Sequence, residues 1–131
     1  MVRWSSIGLI TLGVIHLIVL GVDVPSEAMR WIEPNLWTFE HWQPVRSQPV
    51  DLALSNGIFW GTVGSFAVPT ILLAIVIYRA DRAGWQVPPF IGWSLFTWTV
   101  VASLIMAPSG FPVIAMLALC LAVGLQRDAR G

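Results

Sequence analysis

At 131 residues the chain has the length of one domain, but 56% of it is hydrophobic and 11% charged, roughly half the charged share of an ordinary soluble domain. Its seven basic residues are all arginine and are balanced by seven acidic ones, so no basic face exists to release counterions from a nucleic acid. The single cysteine, Cys120, lies in an apolar stretch, which excludes an internal disulfide, and no CxxC or Cys/His zinc spacing is present.

The first apolar stretch runs from Trp4 to Val22. A hydrocarbon core of ~30 Å needs about 20 helical residues, so this stretch predicts a transmembrane helix, as do 52–78, 90–107 and 111–126. Arg3 followed by an apolar run resembles a signal peptide. No small-x-small cleavage site follows, however, and the helix is expected to be retained. Within it, TLGVIHLIVLG sets the imidazole of His16 among apolar neighbours. Leu9, Gly13, His16, Leu20 and Asp23 share one helical stripe, with Ser5 and Ser6 near its start. That face is expected to turn towards the bundle.

Residues 23–50, DVPSEAMRWIEPNLWTFEHWQPVRSQPV, form a long segment carrying Trp31, Trp37 and Trp42. Met29, Ile32, Leu36 and Phe39 recur at helical spacing, which predicts one or two short amphipathic helices, broken near Pro34, on the outer membrane surface. Indole rings suit the headgroup level because their bodies are apolar and their N–H groups are not. His41, between Glu40 and Trp42, reads as an interfacial residue.

Helix two contains SNGIFWGTVGSFAVP. Gly57, Gly61 and Gly64 fall in a narrow stripe, and Gly57 with Gly61 makes a GxxxG pair where another backbone can approach, either inside the monomer or across a homo-oligomer seam. Pro69 deprives the Ser65 carbonyl of its usual donor and predicts a bend there. The basic hinge RADRAGWQVPP ends in two prolines, where a helix can begin but not continue. Trp93, Phe96 and Trp98 on helix three read as packing and interface anchors, and Pro108-Ser109-Gly110 as a tight turn into the last helix.

Arg3, Arg79, Arg82, Arg127 and Arg130 fall on one side of a four-span arrangement, whereas the long outer segment has Arg30 and Arg46 against Asp23, Glu27, Glu33 and Glu40, with Asp51 at its border. Both termini are therefore expected to be cytoplasmic. The same bias argues against a dual-topology transporter.

Polar groups from several helices fall at similar outer depths. His16 lies ~10 Å of helix rise from Asp23; Ser55 and Asn56 open helix two, and Thr99 and Ser103 lie in the outer half of helix three. Two readings stand open. The imidazole hydrogen-bonds Asn56, a serine or a backbone carbonyl and supports helix association. Alternatively His16, Ser55, Asn56, Thr99, Ser103 and Trp42 line an outer cavity that binds a small hydrophobic molecule, a lipid or quinone. No catalytic residue is identified: the sequence has no GxSxG, HExxH or phosphate-binding glycine loop, and no intramembrane carboxylate of the kind a small-multidrug exporter carries. No metal site is expected, since no two histidines stand at i, i+4, and no cofactor is predicted, haem and quinone remaining as alternatives.

The stretch SNGIFWGTVGSFAVPTILLAIVIYRADRAGWQVPPFIGWSLFTWTVV, with the helix-one histidine and MAPSGF at 106–111, resembles a group of small, often actinobacterial, four-helix membrane proteins that form a domain of unknown function. More distantly the layout is similar to DoxX-type proteins, some of which accompany quinone-linked oxidoreductases. The resemblance implies four spans in a bacterial inner membrane and brings no activity with it. The expected fold is an all-α four-transmembrane-helix bundle, up-down-up-down, with both termini inside and short interfacial helices in the outer loop. The expected function is a non-enzymatic accessory subunit or homo-oligomeric membrane module, whose partners are membrane lipids and other subunits. Binding of a hydrophobic molecule, and an enzyme or redox subunit using His16, are the alternatives.

Overall fold

A computed structural model of the protein describes residues 1–32, 39–106 and 109–130. These residues are 83% helical, and no strand occurs among them. In chain order the helices are α1 (Val2–Leu20), α2 (Val24–Ile32), α3 (Val50–Gly61), α4 (Ala67–Arg82), α5 (Pro89–Ile105) and α6 (Phe111–Asp128), with 3-10 turns at Gly21–Asp23, Phe39–Trp42 and Val45–Ser47. The expected helix break near Pro34, together with Leu36 and Trp37, and the Pro108 end of the expected tight turn, lie outside the described residues.

Two expectations are corrected. Helix one does not stop at Val22 but passes through the 3-10 turn into α2, giving a helical run of 31 residues from Val2 to Ile32. Gly21 keeps a negative φ and so does not reverse the chain, and Pro25 is accommodated because the Gly21 carbonyl, which a non-proline residue there would bond, takes the Val24 N–H in the 3-10 turn. Helix two, expected as one rod over 52–78, is instead the pair α3 and α4, separated by residues 62–66. The bend expected at Pro69 thus falls before it. Ser65 Oγ accepts the Ala67 N–H at 3.3 Å and starts a new helix, which leaves Pro69 in the first turn of α4, where proline is tolerated.

Among the described residues, two helical runs, Val2–Ile32 and Phe111–Asp128, are long and apolar enough to cross a membrane. Large apolar side chains face outward along the helices: Trp4, Ile18, Leu72, Val76, Leu104 and Met116 are all exposed.

The chain divides into two compact units, residues 1–13 with 70–131, and residues 14–69. In the first, Val2 and Leu9 of α1, Ala74 and Ile77 of α4, and Leu121 and Leu125 of α6 form the buried core, with Ile91 and Leu95 of α5 packed against it. α6 runs antiparallel to α1. A Cβ on Gly124 would lie 2.9 Å from Val2, and one on Gly8 would lie 3.0 Å from Leu117. α5 is antiparallel to α6 as well, with Gly92 set against Ala122 at one end and Trp98 stacked edge-on against Phe111 at the other. Prolines in the first turns of α5 and α6 begin both helices. Arg3 Nε donates to Asp81 Oδ2 at 2.5 Å, so the start of α1 meets the end of α4.

Candidate functional site

The second unit holds His16, and the site is built from the failure of α3 to continue. The last carbonyls of a helix have no intrahelical donor. Thr62 and Gly64 both turn their N–H groups to the Phe59 carbonyl, at 3.1 and 2.8 Å, and Ser65 turns its N–H to Thr62 at 3.0 Å. The Gly61 carbonyl therefore loses the Ser65 donor that a continuing helix would supply. His16 Nε2 lies 3.0 Å from that oxygen. A carbonyl only accepts, so Nε2 carries the proton and donates. The Phe66 ring packs against the imidazole, with 5.3 Å between the ring centroids. His16 caps a helix end from a neighbouring helix.

A second cluster fixes α2 to α3. Trp31 Nε1 donates to Ser55 Oγ at 3.0 Å, and the indole meets Phe59 edge-on with centroids 5.4 Å apart. Ser55 is buried, so this donor satisfies a hydroxyl that water does not reach. Asn56 Nδ2 donates to Gln48 Oε1 at 2.9 Å, and Gln48 Nε2 donates to the Gln43 carbonyl at 2.6 Å. Asn56 thus ties the segment before α3 to the helix.

The predicted residues divide between the two units, His16, Trp42, Ser55 and Asn56 falling in the second. Thr99 and Ser103 belong to the first unit, and their hydroxyls turn back on their own helix. Thr99 shares its O–H between the Leu95 and Phe96 carbonyls, both at 2.9 Å, and Ser103 donates to the Thr99 carbonyl at 2.7 Å. Short hydroxyl side chains in a helix make this bond readily. Trp42 is 74% exposed, and the indole over Ser55 is that of Trp31, which sequence reasoning did not place in the site. Among the described residues no three His, Cys, Asp or Glu side chains gather to hold a metal ion.

The three glycines separate into two kinds. Among the described residues, nothing lies within 4 Å of a Cβ built on Gly57 or on Gly61. They border a shallow groove of about 310 Å³ together with Leu20, Leu54, Ile58 and Thr62. Gly64 is not on this stripe, because the helix has ended: its Cβ would lie 2.6 Å from the Phe59 ring. The close backbone approach expected at Gly57 and Gly61 occurs instead at Gly92, where a Cβ would meet the Ala122 main chain at 2.6 Å. The Ala118 and Ala122 pair on α6, both fully buried, is the small-residue signal that could have pointed there.

Comparison with protein-family models, curated proteins and solved structures gives no match, so the functional reading rests on the residues themselves.

Proposed function

We propose that the protein is a non-enzymatic, four-span module of a bacterial cytoplasmic membrane that associates with a second copy of itself through α3. The observation that carries the assembly reading is the open Gly57 and Gly61 face, which no described atom fills. A GxxxG stripe lets two backbones cross closely, and two copies of the same stripe are self-complementary. Membrane residence is supported by the outward apolar side chains on the helices. The spans are α1, α3 with α4, α5, and α6. Orientation is supported by the first unit, where Arg3 bonds Asp81 between Arg79 and Arg82, and Val2 packs on Gly124 close to Arg127. An arginine-rich end of this kind faces the cytoplasm. Binding of a quinone or lipid by His16 and Asn56 has no comparable support, since both side chains are engaged within the protein.

Two differently tagged copies purified together from lipid nanodiscs test the reading. Wild-type copies should co-purify. Gly57→Leu and Gly61→Leu should each weaken association about tenfold or more, about 1.4 kcal/mol, with circular dichroism unchanged because the added Cβ meets no described atom within 4 Å. Normal assembly of both variants, or a monomeric wild type, refutes the proposal. Capture of a different subunit in place of the second copy refutes the homo-oligomer.

A further inference from the structure

The C-terminal end of α4 carries a cleft of about 800 Å³ bordered by Val76, Tyr78, Arg79, Arg82 and Trp85. Its chemistry changes along its length. Leu72, Val76, Arg79 and Ala83 recur at i, i+4, i+7 and i+11 and share one helical face. Leu72 and Val76 are exposed, so an uncovered apolar strip leads directly to a cation.

Three features prepare this end for an anion. Asp81, the acid between the two arginines, is bonded to Arg3 at 2.5 Å, while Arg79 and Arg82 have no acidic partner among the described residues. The carbonyls that end a helix would repel an anion, but here three of the last four accept main-chain N–H groups. Trp85 N–H donates to the Ala80 carbonyl at 2.9 Å, Gly84 N–H to that of Asp81 at 3.2 Å, and Ala83 N–H to that of Arg79 at 3.0 Å. This hydrogen-bond pattern is a Schellman turn, made possible by Gly84 at φ 74°. The same turn brings Trp85 back to the rim of the cleft, with its side chain exposed.

We propose that this cleft binds the phosphate of an anionic phospholipid, with Arg79 and Arg82 on the headgroup and an acyl chain along Leu72 and Val76. An apolar strip that runs into paired cations, with an indole at the junction, matches the profile of a lipid across its headgroup boundary. A free phosphate would use only the cations. The inference rests on the membrane reading given above, and adds a site and a ligand class to it.

The test uses full-length protein in phosphatidylcholine nanodiscs doped with phosphatidylglycerol, with the bound lipid counted by native mass spectrometry. Wild type should retain phosphatidylglycerol over phosphatidylcholine. Replacing both Arg79→Gln and Arg82→Gln should lower that retention about thirtyfold, from ~1 kcal/mol per arginine near an anionic surface. Arg127→Gln, outside the cleft, should lower it no more than about fivefold, the ~1 kcal/mol of a single cation at the same surface. Equal loss in Arg127→Gln, no loss in the double variant, or no preference in the wild type each overturns the site. Flotation with neutral vesicles separates the two failures: protein that floats but shows no lipid preference refutes the cleft alone, and protein that stays in the aqueous fraction refutes the membrane reading with it.

Discussion

Gly92→Ala perturbs the packing of α5 on α6 at a single atom. The new methyl would lie 2.6 Å from Ala122 Cα and 2.9 Å from its nitrogen, whereas ordinary contact begins at 3.4 Å. Both obstructing atoms are helix main chain, so no rotamer change relieves the clash and the two helices must part by most of an ångström. A gap of ~0.5–1 Å forfeits a quarter to a half of the dispersion well for each atom pair across it, and overpacking of this kind costs about 1–3 kcal/mol. Alanine in place of glycine inside a helix returns about 1 kcal/mol. With the cost at the upper part of its range, the variant should be about 1–2 kcal/mol less stable than wild type. Gly8→Ala is the matched control: the three atoms nearest its methyl all belong to the Leu117 side chain, the δ-carbons at 3.0 Å, and that side chain can rotate away. With that small packing cost set against the same ~1 kcal/mol of helix propensity, its stability should equal or exceed that of wild type by up to ~1 kcal/mol. Titration with SDS in mixed micelles, followed by far-ultraviolet circular dichroism, compares the three proteins. A Gly92→Ala midpoint at or above that of wild type, or an equal weakening in Gly8→Ala, would show that the Ala122 main chain is not the obstacle.

Two polar groups on α1 make opposite predictions. His16→Leu removes the donor on the Gly61 carbonyl and should destabilise the protein by about 1 kcal/mol, with faster deuterium exchange across residues 62–66; unchanged exchange there would show that the ring is not the cap. Ser6 is fully buried, and its hydroxyl has no partner among the described residues, so Ser6→Ala should raise the SDS midpoint by up to about 1 kcal/mol of stability. A lowered midpoint would reveal a bond that the hydroxyl makes.

The helices α1, α5 and α6 could be read from the sequence because each begins as an apolar run bounded by charge or proline. The break between α3 and α4 could not. Thr62, Gly64 and Ser65 are all tolerated inside membrane helices, and hydropathy summed over 52–78 has no term for a histidine contributed by another helix. That histidine was conspicuous, and hydrogen bonding to a backbone carbonyl was among its anticipated roles, but which carbonyl depended on where α3 ended. The glycine pair was visible because both members lie in one helix at fixed spacing. Gly92 and Ala122 lie on different helices, and no spacing connects them. The hydroxyls of Thr99 and Ser103 were assigned to a cavity on depth alone, yet a side-chain rotamer decides whether such a group faces a neighbour or its own backbone. Of the three indoles in residues 23–50, only tertiary contact distinguishes Trp31 as the one that meets Ser55.

The first unit joins both ends of the chain, residues 1–13 and 70–131, and seats Val2 against Gly124 of the final helix. Translation makes α1 before α6, so the opening turn of α1 must remain unseated until Gly124 has been made. The entropy of bringing such distant segments together rises only slowly with the length between them, which makes the delay a matter of timing more than of energy. A stalled nascent chain ending before Gly124 would present quality-control proteases with an amino-terminal helix that has no berth.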